Sequence, residues 1–155
     1  MTLDRFDHAI LEQLQRDATP SMDELASRVN LSRNACWRRV KKLQEDGVIR
    51  STVVILDPLK INLGLGAFIS IRTAQHDMNW LSAFSAATRD IAEIVGAYRI
   101  SGDTDYLLHA VVPSIEGYDQ LYKRLISAVA LTDVSASFVM EKIKETTVLP
   151  LLHAD

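Results

Sequence analysis

Two stretches of this chain hold residue types and spacings that could do chemistry. The first follows Ser32. Arg33, Asn34, Trp37, Arg38, Arg39, Lys41 and Lys42 crowd together there, and no acidic side chain falls between Leu31 and Gln44. At 100° per residue, Asn34, Arg38 and Lys41 share one helical face, with Trp37 and Lys42 flanking it. Guanidinium and amide groups match guanine and adenine edges in a DNA major groove, and ammonium groups hold phosphates. The expected DNA-contacting set is Ser32, Arg33, Asn34, Trp37, Arg38, Arg39, Lys41 and Lys42. Within it Asn34, Trp37, Arg38 and Lys41 are assigned to bases, and Arg33, Arg39 and Lys42 to phosphates. The second stretch is Ser101-Gly102-Asp103-Thr104-Asp105. The ammonium of a free amino acid suits Asp103 or Asp105, and its carboxylate suits the backbone N–H groups of a glycine turn. The same residues equally fit a plain β-turn, because Gly and Asp are turn formers.

The elements around the basic stretch follow from local rules. A first helix begins near Asp4, puts Phe6, Ile10, Leu11 and Leu14 on one face, and ends before Thr19-Pro20. A second opens at Ser21-Met22-Asp23-Glu24, a capping box, with Met22, Leu25, Ala26 and Val29 apolar. Asn30 tolerates a left-handed turn, Leu31 plugs the angle, and Ser32 caps a third helix that stops at Gly47. So short a turn forces a steep crossing, the helix-turn-helix geometry. Cys36, Val40 and Leu43 face inward, so Cys36 reads as a core residue. The β-rich run Val48–Leu56 is expected as a wing strand leading into a linker that spans residues 49–65.

The rest of the chain alternates differently. Strands are expected at Gly66–Arg72, Ile94–Ile100, Tyr106–Val112 and Val134–Met140, with a fifth at Thr146–Leu149. Helices are expected at Asn79–Asp90 and after Ser114. The order βαββαβ is the ferredoxin-like plan. The fold class is thus α+β: a winged helix-turn-helix over residues 1–60, then a ferredoxin-like domain over 66–155. Tyr106–Val112 is apolar on both sides of its pleat, broken only by His109. Two apolar faces need two covers. The helices supply one. A second copy supplies the other, so a homodimer is expected. Its twofold axis would present two basic helices to a pseudo-palindromic DNA duplex, with half-sites about 34 Å apart.

As a set, these segments resemble the Lrp/AsnC family of bacterial and archaeal transcription regulators. The resemblance is carried by Leu3-Asp4-Arg5-Phe6-Asp7, Leu14-Gln15-Arg16-Asp17-Ala18, Glu24-Leu25-Ala26, Val29-Asn30-Leu31-Ser32, Arg39-Val40-Lys41-Lys42-Leu43 and Asp46-Gly47-Val48-Ile49. The family's Gly-x-x-Asp signature matches Gly102 to Asp105. The resemblance implies the same dimer, its assembly into a tetramer or octamer, and an amino-acid effector. It puts that effector on Gly102, Asp103, Thr104 and Asp105, with Tyr98, Arg99, Ser101 and Ser137 as further lining. The alternative function is an architectural, nucleoid-type DNA binder with no small-molecule effector.

Composition sets the remaining bounds. The 155 residues carry a net charge of −3, but residues 1–60 hold ten cations against nine acids and residues 61–155 seven against eleven. A phosphate backbone feels the local patch, because screening limits its reach to about 8–10 Å. No catalytic motif stands out, and His8, His76, His109 and His153 lack metal-ligand spacing. No enzyme activity, metal or cofactor is expected. The charged start of the chain, the lone Cys36 and the absence of a long apolar run lead to an expected cytoplasmic location with no membrane partner.

Overall fold

The structure is a computed structural model that describes residues 2–75 and 77–152. His76 and His153 lie outside the described residues. The chain divides into two units, Met1–Val54 with Lys144–Asp155, and Ile55–Ile143.

The first unit is built on three capped helices. In α1 (Arg5–Arg16), Asp4 accepts hydrogen bonds from the Phe6 and Asp7 amides at 2.8 and 3.0 Å, and Asp7 accepts from the Asp4 amide at 3.1 Å. In α2 (Met22–Arg28), Ser21 and Glu24 exchange the same pair of bonds. Asn30 takes the left-handed conformation at φ 55°, and the Leu31 amide donates to Ala26 O at 2.9 Å, closing the turn. α3 (Arg33–Glu45) follows directly, capped by Ser32. Ile10, Leu11, Leu25, Ala26, Val29, Cys36 and Leu43 form one buried cluster, with Leu31, Val40, Ile49 and Leu151 packed against it. Gly47 ends the helix at φ 75°, where a side chain would be strained.

Two expected strands are absent. Val48–Leu56 forms no ladder, and its Val53, Val54, Ile55 and Leu56 side chains are exposed. A strand exists only where another strand accepts its hydrogen bonds, and this chain offers that run no partner. Thr146–Leu149 is likewise extended without joining the sheet, and the segment from Lys144 packs with the first unit.

The second unit keeps the βαββαβ order: β1 (Leu65–Arg72), α4 (Met78–Asp90), β2 (Ile94–Arg99), β3 (Tyr106–Val112), α5 (Ile115–Ala128) and β4 (Asp133–Phe138). The antiparallel sheet runs β2-β3-β1-β4. Ala67, Ile69, Ile71, Tyr106, Leu108, Ala110 and Val112 point to the helix side and are buried. There they meet Trp80 and Phe84 of α4 and Leu121 and Leu125 of α5. Trp80 stacks on Phe84 at 5.0 Å between ring centroids, and its indole N–H donates to Ala130 O at 2.7 Å, so the largest core residue keeps its polar atom satisfied.

Arg39 ties α3 to α1. Its guanidinium lies 2.8 Å from both Asp4 Oδ2 and Asp7 Oδ1 and covers the Phe6 ring at 5.3 Å. Arg39→Ala should cost about 1–2 kcal/mol, between the values for exposed and for buried charge-assisted pairs, in urea unfolding followed by helical circular dichroism. The pair also sets an acid limit. The Asp4 carboxyl lies below its ordinary value of 3.8, chiefly because the Asp7 amide donates to it, with Phe6 and Arg39 adding to the effect. A depressed carboxylate contributes stability above its unfolded pKa and loses it as pH falls through the folded value. Asp4→Asn should therefore flatten the loss of stability below about pH 4 in that same assay.

Candidate functional site

On α3 the inward stripe is Cys36 and Leu43, both fully buried, with Val40 partly covered. Burial pushes the Cys36 thiol up, so it stays protonated and inert. The opposite face is open. Ser32, Arg33, Asn34, Trp37, Arg38, Lys41 and Lys42 are all exposed, and Trp37 leaves 52% of its surface in solvent. The Lys41 ammonium sits 5.3 Å from the Trp37 ring centroid, a cation–π contact that keeps both side chains up on the face.

The charges on this face are held loosely. Arg33 reaches Asp23 at 3.4 Å, Lys41 reaches Glu45 at 3.6 Å, and Lys42 reaches Asp46 at 3.0 Å, all between exposed side chains. Such pairs are worth about 0–1 kcal/mol, so a phosphate can replace the carboxylate at little cost. Arg38 has no ion pair among the described residues. Arg39 is placed differently from the rest of the expected set. Its side chain is turned toward α1 and committed to Asp4 and Asp7, and their bonds hold its guanidinium above the ordinary arginine range. Sequence spacing hid this, because Arg39 stands only one residue beyond the outward Arg38 while its partners lie more than thirty residues back. The one available signal was the pair of acids at Asp4 and Asp7.

The second candidate lies between β2 and β3. Ser101, Gly102 and Asp103 are exposed, and Thr104 and Asp105 half-buried. Gly102 has φ 116°, with open space where a side chain would project. Asp103 makes no hydrogen bond or ion pair among the described residues. Asp105 is partly occupied: its Oδ2 accepts from the Thr73 amide at 2.9 Å, and its own amide donates to Ile71 O at 3.0 Å. That carboxylate closes the exit of β1 as well as facing the turn.

Tyr98 and Arg99 end the strand that leads into this turn but take opposite faces, and Ser137 lies away from it within one chain. Tyr98, opposite Leu107, lies on the sheet face away from the helices, with its ring over Gly96. Arg99, one residue on, sits on the other side of the pleat. Ser137 stands opposite Phe68 on β4, at the far edge of the sheet from β2, about 14 Å away across three strand spacings.

The sheet face that carries Tyr98 has no cover within the unit. Phe68, Ser70, Leu107, His109, Val111, Ser135 and Ser137 share it by register. Phe68 is 41% exposed and stacks on the His109 ring at 4.8 Å.

These features agree with the comparisons to known proteins. Residues 3–50 match the family described as winged helix-turn-helix DNA-binding, and residues 66–149 match the Lrp/AsnC ligand binding domain. The glutamate uptake regulatory protein of Zymomonas mobilis is 52% identical over 96% of this chain and 91% of its own. The crystal structure of an AsnC family transcriptional regulator from Agrobacterium tumefaciens superposes with a TM-score of 0.93, at 51% identity, covering 96% of this chain and 97% of that one. A transcriptional regulator of Neisseria meningitidis, crystallised as a complex with L-Met, also gives 0.93, at 36% identity over 98% of this chain and 99% of its own. With both halves matched and relatives this similar over almost its full length, the chain belongs to the Lrp/AsnC family of DNA-binding transcription regulators.

Proposed function

We propose that the protein reads a pseudo-palindromic DNA operator through the exposed face of α3, as a homodimer, and adjusts its hold on that operator when an amino acid binds near the Gly102–Asp105 turn. The observation that carries this reading is α3 itself: one face is locked into the core, and the other presents Asn34, Trp37, Arg38 and Lys41 to solvent, with only the loose Lys41–Glu45 pair on it. These four face bases. Arg33 and Lys42 serve phosphates, and Ser32, at the helix N-terminus, adds a backbone N–H site of the kind phosphates favour. Arg39 is left out of the set because its charge is spent on Asp4 and Asp7.

The uncovered face of the β2-β3-β1-β4 sheet supports the dimer. Phe68, Leu107 and Val111 make it too apolar to remain in water. Dimers of such dimers make the tetramer or octamer that the family resemblance implies. A second copy would also bring its own Ser137 and Tyr98 to the assembly, which one chain cannot bring together. The L-Met complex of the Neisseria meningitidis relative supports an amino-acid effector, and the free Asp103 carboxylate and the open Gly102 backbone are the groups suited to one. The protein acts where the chromosome is, in the cytoplasm.

Three measurements test this reading. In fluorescence anisotropy with an operator chosen by selection from genomic fragments, Arg38→Ala should cost about 1–3 kcal/mol and relax preference at one base pair. Lys42→Ala should weaken all sequences alike and lower the salt slope by about 1; equal binding by the Arg38 variant would refute its base assignment. In sedimentation, Val111→Asp should halve the smallest assembled species, whereas an unchanged mass would remove the sheet face as interface. In thermal melting, L-methionine at about 100 times its Kd should add about 2.7 kcal/mol. Asp103→Ala should abolish that shift without lowering the melting point of the unliganded protein. Asp105→Ala should lower both, because Thr73 loses its cap.

A further inference from the structure

The segment Thr146–Leu152 leaves the sheet unit and seats itself on α1. The Leu149 amide donates to Gln15 Oε1 at 2.7 Å, and Gln15 Nε2 donates back to Leu149 O at 3.3 Å. One side-chain amide thus satisfies both the N–H and the C=O of one residue, as a strand partner would. Leu151 is half-buried against the cluster that includes Ile10 and Leu11. Between segment and helix runs a groove of about 420 Å³, walled on the α1 side by His8, Glu12, Gln15 and Arg16.

Two facts give this contact consequences. The cluster under Leu151 is the one that buries Cys36 and Leu43, so the base of α3 and the seat of the segment share one core. The chain also passes between the two units twice, near Val54 and again near Ile143. From Phe138, the last residue of β4, the path to Thr146 is short.

We propose that Val148–Leu152 is a latch on the DNA-reading unit: seated on α1, it steadies the layer on which α3 rests, and its release weakens DNA binding without changing any residue of α3. Two hydrogen bonds and one half-buried leucine make a contact that opens locally, well before the unit unfolds. The second crossing gives the sheet unit a covalent line to that contact. Use of the latch by an amino-acid signal rests on the function proposed above; the latch itself does not.

Hydrogen exchange on the full chain tests it, with no DNA or amino acid present. Leu151→Asp should raise exchange in residues 5–16 about tenfold and leave Tyr106–Val112 at the wild-type rate. Gln15→Ala, milder, should raise it severalfold, and Leu151→Met should restore protection. On an operator fragment Leu151→Asp should weaken binding about threefold to tenfold, as local loosening of a reading element predicts. Wild-type exchange in residues 5–16 of Leu151→Asp would overturn the proposal, and so would wild-type affinity in a variant whose α1 is loosened. A wild type that bound no DNA would instead sink the proposed function, and exchange would still decide the latch.

Discussion

The thirteen residues of α3 must bury one stripe in order to exist as a helix. Alone in water a helix of that length is marginal, so tertiary packing has to hold it. Cys36 and Leu43 provide that packing, against Ile10, Leu11, Leu25 and Val29. Whatever lies opposite the stripe is then rigidly exposed. DNA reading needs this condition: side chains with donors, free to choose base edges, on a rod that does not itself move. Arg39 completes the arrangement at the edge of the stripe, where it exchanges a place on the exposed face for two carboxylates on α1. The helix thereby gains a fixed attitude to its support.

The sheet unit obeys a parallel constraint with the opposite outcome. Both helices pack on one face, and Trp80, Phe84, Leu121 and Leu125 fill it. The other face carries Phe68 on β1 and Leu107 and Val111 on β3, interspersed with Ser70 and His109, and no described residue of the unit packs over it. In the reading unit the uncovered side is polar and meets water or nucleic acid. In the sheet unit it mixes Phe68, Leu107 and Val111 with serines and a histidine. One chain thus carries two open surfaces of different chemistry.

Asp105 shows how structural and chemical duties meet in one residue. The turn after β2 has the glycine and acids suited to an amino-acid ligand, yet Asp105 already accepts from Thr73. Asp103, without a partner among the described residues, is the more available carboxylate. The Asp105 carboxylate, accepting from the Thr73 amide, ties the start of β3 to the end of β1.

Much of this was legible in the amino-acid sequence, for local reasons. Capping residues at Asp4, Ser21 and Ser32, the left-handed Asn30 and the stop at Gly47 act through neighbours only a few residues away, so the three helices and their turn could be read off directly. So could the βαββαβ order and the two-sided apolar character of Tyr106–Val112. What the chain's order could not reveal depends on residues far apart. Val48–Leu56 has strand-forming residues but no strand to pair with, and Thr146–Leu149 meets a helix where a sheet edge was expected. Arg39 and Arg38 are neighbours of one chemistry, and only packing of α1 against α3 turned one inward and left the other free. Propensity and periodicity are local quantities, whereas ladders, ion pairs across elements and seats for returning segments exist only once the elements have met.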